Sequence, residues 1–315
     1  MESSRRAILQ SGAAALLASA VTKAAPDGGD TKLKVAIFSK HLLFLQGVPL
    51  AEAAAGMGFD GIDLAVRKGG HVEPARVKQE LPGLVRIIRD HGLAVPMITT
   101  DIVDTTTPYA EEILQCMSEL NINRYRWGGL KYTNDATIPA QLDSMKPRVA
   151  KLAALNAKYR VGAMYHTHSG FDVVGAAIWD LHELLSGFDP AAVGVNYDIG
   201  HATVEGGFGG WIDSFRVTGQ YVRGIAVKDF LWEKNAKGEW RPGWKPLGQG
   251  MVNFSKFFQM VAASHFAGPL QLHFEYPLEG ADEGAKIVSN KSAVYEIMTR
   301  DLKQLRGYLA QAGLA

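Results

Sequence analysis

The sequence predicts an α/β protein built as a single (β/α)8 TIM barrel. Three observations point there. Short apolar runs of strand length recur eight times, and helical stretches with apolar residues three and four apart lie between them. The runs are nearly continuous in apolar content, as parallel strands covered on both faces should be. Polar residues of catalytic type collect at the C-terminal ends of the runs, the face on which such barrels carry their sites.

The strand runs, in order, are residues 35–39, 61–66, 94–100, 124–128, 161–168, 193–199, 224–230 and 270–276. Helical spacing is clearest over residues 75–91, 140–158 and 294–312. Pro49, Pro74, Pro108 and Pro139 stand before helical stretches, where a first turn tolerates proline. The glycine run Gly206-Gly207-Phe208-Gly209-Gly210 lacks the spacing and the preceding strand of a dinucleotide fingerprint. It reads instead as a flexible loop at the site.

Length and charge fit this assignment. The chain has 315 residues, of which 33 are Lys or Arg and 32 Asp or Glu, for a net charge of +1. At about 150 residues per domain that allows two domains, but (β/α)8 barrels of roughly 250 residues count as one. A near-zero charge argues against nucleic acid as partner, since phosphate contacts draw on a basic excess. The one cysteine, Cys116, rules out an intrachain disulfide and a cysteine zinc site.

Residues 1–25 read as an export signal ahead of a barrel over 33–315. Arg5-Arg6 is followed by the apolar run 13–21, with Ala18-Ser19-Ala20 and Ala25 as cleavage candidates. The paired arginines resemble a twin-arginine signal, which predicts a periplasmic or secreted protein. The run is too short to span a bilayer, so no stable membrane insertion is expected once the signal is removed.

At the strand ends stand His71, then Arg126 and Trp127, then His166 and His168. Asp198 and His201 follow on the sixth, Lys228 and Trp232 on and after the seventh, and His273 and Glu275 on the eighth. The two-residue period places His166 with His168, and His273 with Glu275, on the same side of their strands. Imidazole and carboxylate converging at a barrel mouth suit a divalent metal, Mn, Co, Mg or Zn.

Several segments in this order resemble the sugar phosphate isomerase/epimerase superfamily, the xylose isomerase-like TIM barrels that include endonuclease IV. They are Gly58-Phe59-Asp60-Gly61-Ile62-Asp63-Leu64, His166-Thr167-His168-Ser169-Gly170, Asp198-Ile199-Gly200-His201, Val227-Lys228-Asp229, residues 246–254 and Glu275. The resemblance covers most of residues 33–312. It implies a metal held by two glutamates, an aspartate and a histidine, with the glutamates as acid and base. Asp198 and Glu275 match the aspartate and last glutamate, and His201 the substrate-side histidine. His166 stands where the first glutamate would be, and Ala226 where the metal histidine would be.

The expected metal set is therefore His166, Asp198 and Glu275, helped by His168, His201 or water. Glu275, His201, His166 and Lys228 are the expected catalytic groups. His71, Arg126, Trp127, His168, Trp232 and His273 are expected to contact substrate, with Trp211 a further stacking candidate. The expected activity is that of a metal-dependent isomerase or epimerase that abstracts a proton next to the carbonyl of a sugar or keto-sugar. A 3-keto-glycoside lyase or hydratase is the alternative, and a non-catalytic sugar-binding barrel a third. The expected partner is a small, uncharged sugar or glycoside, and a homo-oligomer is compatible with the sequence.

Overall fold

The computed structural model describes residues 32–315, so the segment read as an export signal lies outside the described residues. The expected barrel is present and closed. Strands β1 (Val35–Phe38), β2 (Gly61–Ala65), β3 (Ala94–Thr99), β4 (Arg124–Trp127), β5 (Gly162–His166), β6 (Val193–Asp198) and β7 (Val222–Val227) pair in chain order. The eighth barrel strand, β10 (Leu270–Leu272), closes the ring between β7 and β1, with Val35 opposite Leu270 and Ile225 opposite Leu270 on its other side. Every pairing in the ring is parallel. Two-sided coverage accounts for the continuous apolar runs: all residues of β1, β2, β5, β6 and β10 are buried.

Helices α1 (Val48–Gly56), α2 (Val77–Asp90), α3 (Ala110–Glu119), α4 (Ile138–Tyr159), α5 (Trp179–Leu185), α6 (Ile199–Gly206), α7 (Gly210–Thr218), α8 (Phe254–Ala263) and α9 (Lys291–Gln311) connect the strands. In α2, Leu81, Leu84, Val85 and Ile88 recur at helical spacing and form its buried face. Pro49 and Pro139 occupy first-turn positions of α1 and α4, whereas Pro82 and Pro147 lie inside helices. Among the described residues no helix is long and apolar enough to cross a membrane.

Two expectations about connections are corrected. The glycine run is no loop at the site: Gly206 closes α6 and Gly210 opens α7, so it is a tight turn between helices, with Phe208 fully exposed. Gly206 packs its Cα against the backbone of Trp211, leaving no room for a Cβ.

The seventh run also does not continue to Phe230 as a barrel strand. It ends at Val227. After Lys228 the chain leaves the ring as β8 (Asp229–Lys234), which pairs antiparallel with β9 (Trp240–Lys245). The hairpin turn is built by Asn235, whose side chain accepts from the backbone of Lys237 and Glu239, with Gly238 at φ +78°.

The Pro-Leu-Gly-Gln-Gly segment now has a physical role. The Asp229 carboxylate accepts backbone N–H bonds from Phe230, Gly248, Gly250 and Val252. A Cβ at Gly250 would collide with that carboxylate. The cage pins the start of the hairpin next to Lys228.

Candidate active site

The C-terminal ends of β5, β6, β7 and β10 place the site. Asp198 ends β6 and caps α6: its Oδ1 accepts from the His201 backbone N–H at 3.0 Å, and its own N–H donates to Thr167 Oγ1 at 2.8 Å. That leaves Asp198 Oδ2 buried and without a hydrogen bond, beside the His166 ring and the Lys228 ammonium.

In β7, Ala226 pairs with Asp198, so the position where a metal histidine was expected carries only a methyl group. Lys228 lies two residues on. Its chain runs past Gly200, where a Cβ would stand 2.7 Å from Lys228 Cγ. The glycine of Asp-x-Gly-His thus clears the path of the lysine. Gly200→Ala is expected to displace Lys228 at an over-packing cost of about 1–3 kcal/mol. Kinetics and thermal melts would show turnover falling more than stability, while an unchanged kcat would break this link.

Lys228 is the hub. It is 2% exposed. Its Nζ lies 2.7 Å from His201 Nε2, 2.8 Å from Glu275 Oε2 and 3.3 Å from Asp198 Oδ2. The Trp244 ring of β9 lies 4.3 Å away and packs edge-on against His201 at 4.9 Å. Glu275 stands beyond the end of β10. There the His273 N–H still donates to Val227, and the Phe274 N–H donates to Nε2 of buried His41. These bonds hold an extended chain that is no longer a strand, so the eighth run is shorter than the expected residues 270–276.

Electrostatics separate the carboxylates. Burial works to raise Glu275, but the Lys228 charge, with His273 beside it, outweighs burial and holds the carboxyl well below its usual range. Burial wins at Asp198, which is pushed up to about 6 against the pull of Lys228. Burial, and then neighbouring cations, keep His166 and His201 neutral. His273 is pushed down to about 4, also chiefly by burial.

His166, Asp198 and His201 bring one potential ligand atom each within 4.8 Å of one another, a buried group of the kind that can hold a metal. Glu275 is outside that group; it is tied to the far side of the Lys228 ammonium. As the groups stand, both histidines already have partners. His201 Nδ1 bonds Ser169 Oγ at 2.8 Å, and its Nε2 lone pair already accepts from Lys228. His166 Nδ1 meets Asn196 Nδ2 at 3.1 Å, in an amide orientation matched by a reciprocal Asn196–Gln271 pair. The neutral ring then carries its proton on Nε2, aimed at Asp198 Oδ2 3.6 Å away. A metal about 2.1 Å from these nitrogens would meet a proton at one and an ammonium at the other.

The remaining expected contacts divide. Arg126, His166 and His168 line a cavity of about 430 Å³ at the mouth. His168 is exposed and lies over His201 with ring centres 3.8 Å apart. His273 is buried below, near-parallel to His166 at 5.8 Å. Trp127 borders the cavity but is 1% exposed, with its indole N–H on Val103 and its ring against Tyr165, so it is packing rather than a stacking platform. Trp211 is likewise core, against Phe257. His71 is buried outside the cavity, and burial pushes its pKa down to about 4. Trp232 is half-exposed on β8, against Phe230.

Sequence reasoning missed Trp244, because the hairpin was missed. It also missed Asn196 and Gln271, which read as strand interior. An open depression of about 860 Å³ between α1 and α9, bordered by Pro49, Met57 and Tyr295, gathers no such groups.

A profile of the family described as "Xylose isomerase-like TIM barrel" matches residues 51–291. The chain belongs to that family. Among solved structures it is similar to 3-keto-D-glucoside 4-epimerase YcjR from E. coli, at 13% identity and TM-score 0.63, covering 88% of this chain and 100% of that one. It is similar to the probable 3-DHS dehydratase AsbF from Bacillus anthracis, at 17% identity and TM-score 0.64, covering 87% and 99%. The IOLI protein with a bound zinc atom aligns at 12% identity and TM-score 0.67, covering 88% and 99%. At these identities the likeness is one of fold. No curated protein matches the chain. Of these three, one is an epimerase, one a probable dehydratase and one holds a zinc atom.

Proposed function

We propose that this member of the family moves a proton next to the carbonyl of a polyhydroxylated small molecule, as an isomerase or epimerase does. The observation that carries the reading is the Lys228 ammonium, buried and held between Glu275, His201 and Asp198. Glu275 is ionised and 22% exposed, so it can take a proton from a ligand in the mouth. Removing that proton puts negative charge on the carbonyl oxygen. A fixed ammonium in a site shielded from water stabilises such an oxygen without reorganising. The proton so taken resides on Glu275, which can return it to the same or the neighbouring carbon, while neutral His201 accepts from Nζ and fixes the ammonium.

In this reading the ammonium takes the part that a metal plays as Lewis acid. Asn196 and Gln271 hold His166 in one tautomer, with its Nε2 3.6 Å from Asp198 Oδ2. The N-terminal segment supports a setting outside the cytoplasm.

The test is solvent exchange. Incubation in D2O with a panel of ketoses and aldoses should place deuterium on the carbon next to the carbonyl and form an isomer of unchanged skeleton. Exchange followed by loss of water or of a glycosidic group would move the assignment to a lyase. Tight binding without exchange would leave a sugar-binding barrel.

A further inference from the structure

The cavity that carries His166 and His168 is more cationic than an uncharged sugar needs. It is lined by Arg67, Arg126 and Lys131 against one carboxylate, Asp101, with Lys228 and Glu275 outside its lining. Asp101 is itself engaged by the backbone N–H of Lys68 at 3.1 Å. Among the described residues, the side chains of Arg67, Arg126 and Lys131 make no ion pair and no hydrogen bond. Arg67 is steadied by the Phe38 ring, 5.3 Å from its guanidinium carbon, which leaves its donor fork open. Burial, and then the neighbouring Arg67 charge, works against the Arg126 guanidinium. Unpaired cations crowded into a half-buried cavity are costly unless an anion joins them.

The geometry points to a ligand that is an acidic sugar, with its carboxylate received by Arg67 and Arg126 while its carbonyl end faces Lys228 and Glu275. This rests on the proton-transfer reading for the role of the carbonyl end; the anion site itself rests on the cavity alone. Two guanidinium forks match the paired oxygens of a carboxylate. The charge balance selects a carboxylate over a phosphate dianion. Asp101 offsets one of the three cations, and Asp63 and Glu275, two carboxylates that act on Arg126, together offset most of a second. The proposed ligand is acidic where an uncharged sugar was expected, because net charge reports the whole surface and not one cavity.

The test uses D-glucose, D-glucuronate and D-glucose 6-phosphate, which differ only at C6, in titration calorimetry on the full protein. Wild type should bind glucuronate at least tenfold more tightly than glucose. Arg126→Gln should remove that preference. Arg67→Gln, at a partly exposed loop position, should do the same with an unaltered melting temperature, which guards against a folding defect in the first variant. Equal affinity for acid and glucose, no detectable binding of either, or a preference indifferent to both arginines would overturn the proposal. A tighter, arginine-dependent grip on the phosphate would overturn the carboxylate assignment. Deuterium exchange on the same sugars is scored separately. Arginine-dependent acid binding without exchange sustains the anion site and rejects the reaction, whereas exchange without acid preference does the reverse.

Discussion

Lys228→Met is expected to lower turnover about a thousandfold, the scale of removing one fixed electrophile from an oxyanion site. Methionine keeps most of the stem that passes Gly200 but deletes the charge bonded to His201 and Glu275. Two carboxylates then lose their buried counter-charge, an uncompensated arrangement that costs about 3–5 kcal/mol where it cannot relax. It relaxes by proton uptake. Glu275 is held low by Lys228, so its contribution to stability is present above the unfolded-state value and fades as pH falls below it. The variant loses that contribution, and its pH–rate profile should rise at higher pH than that of wild type. The substitution also frees the His201 Nε2 lone pair. Calorimetry with zinc or cobalt should therefore show the variant binding metal more tightly than wild type. Unchanged turnover with unchanged metal affinity would remove Lys228 from the chemistry.

Glu275→Gln should abolish deuterium exchange, again by roughly a thousandfold, while ligand affinity changes little. The amide is isosteric but cannot accept the proton. Lys228 keeps His201 and Asp198 as partners, so the fold should survive. A second readout follows from charge. The Glu275 charge is one of the influences that raise Asp198 toward 6, behind burial, so its removal should lower the Asp198 pKa in a carboxyl NMR titration. Retained exchange would transfer the base to His201. Retained Asp198 titration would show that the two carboxylates do not share the Lys228 field.

The barrel was legible because its signals are local. Eight apolar runs needed burial on both faces, and Val35–Phe38 through Leu270–Leu272 found it in a closed parallel ring. The site was legible in membership more than in wiring. His166, Asp198 and His201 could be placed at strand ends by counting, and they lie together. Counting does not show that Lys228, entering from β7 over Ala226, stands between Asp198 and Glu275.

That depends on three chain segments meeting across the barrel, and on Gly200 clearing the lysine's path. The hairpin of β8 and β9 was hidden inside what read as one strand and its loop, although Asn235 and Gly238 between two aromatic-bearing arms carried a turn signal. Missing it concealed Trp244, which closes one side of the Lys228 ammonium. Trp127 and His71 went the other way: strand-end position suggested contact with a ligand, and packing against Tyr165 and burial outside the cavity gave them to the core.

In the proposed reaction the Lys228 ammonium, rather than a metal ion, is the cation that steadies the developing oxygen charge. Deuterium exchange by wild-type protein after exhaustive chelation, with metal content measured on the same sample, tests that role most directly. Exchange should persist at its original rate with metal far below one equivalent, and added manganese, cobalt or zinc should not raise it. Exchange that vanishes on chelation and returns with stoichiometric metal would contradict that role.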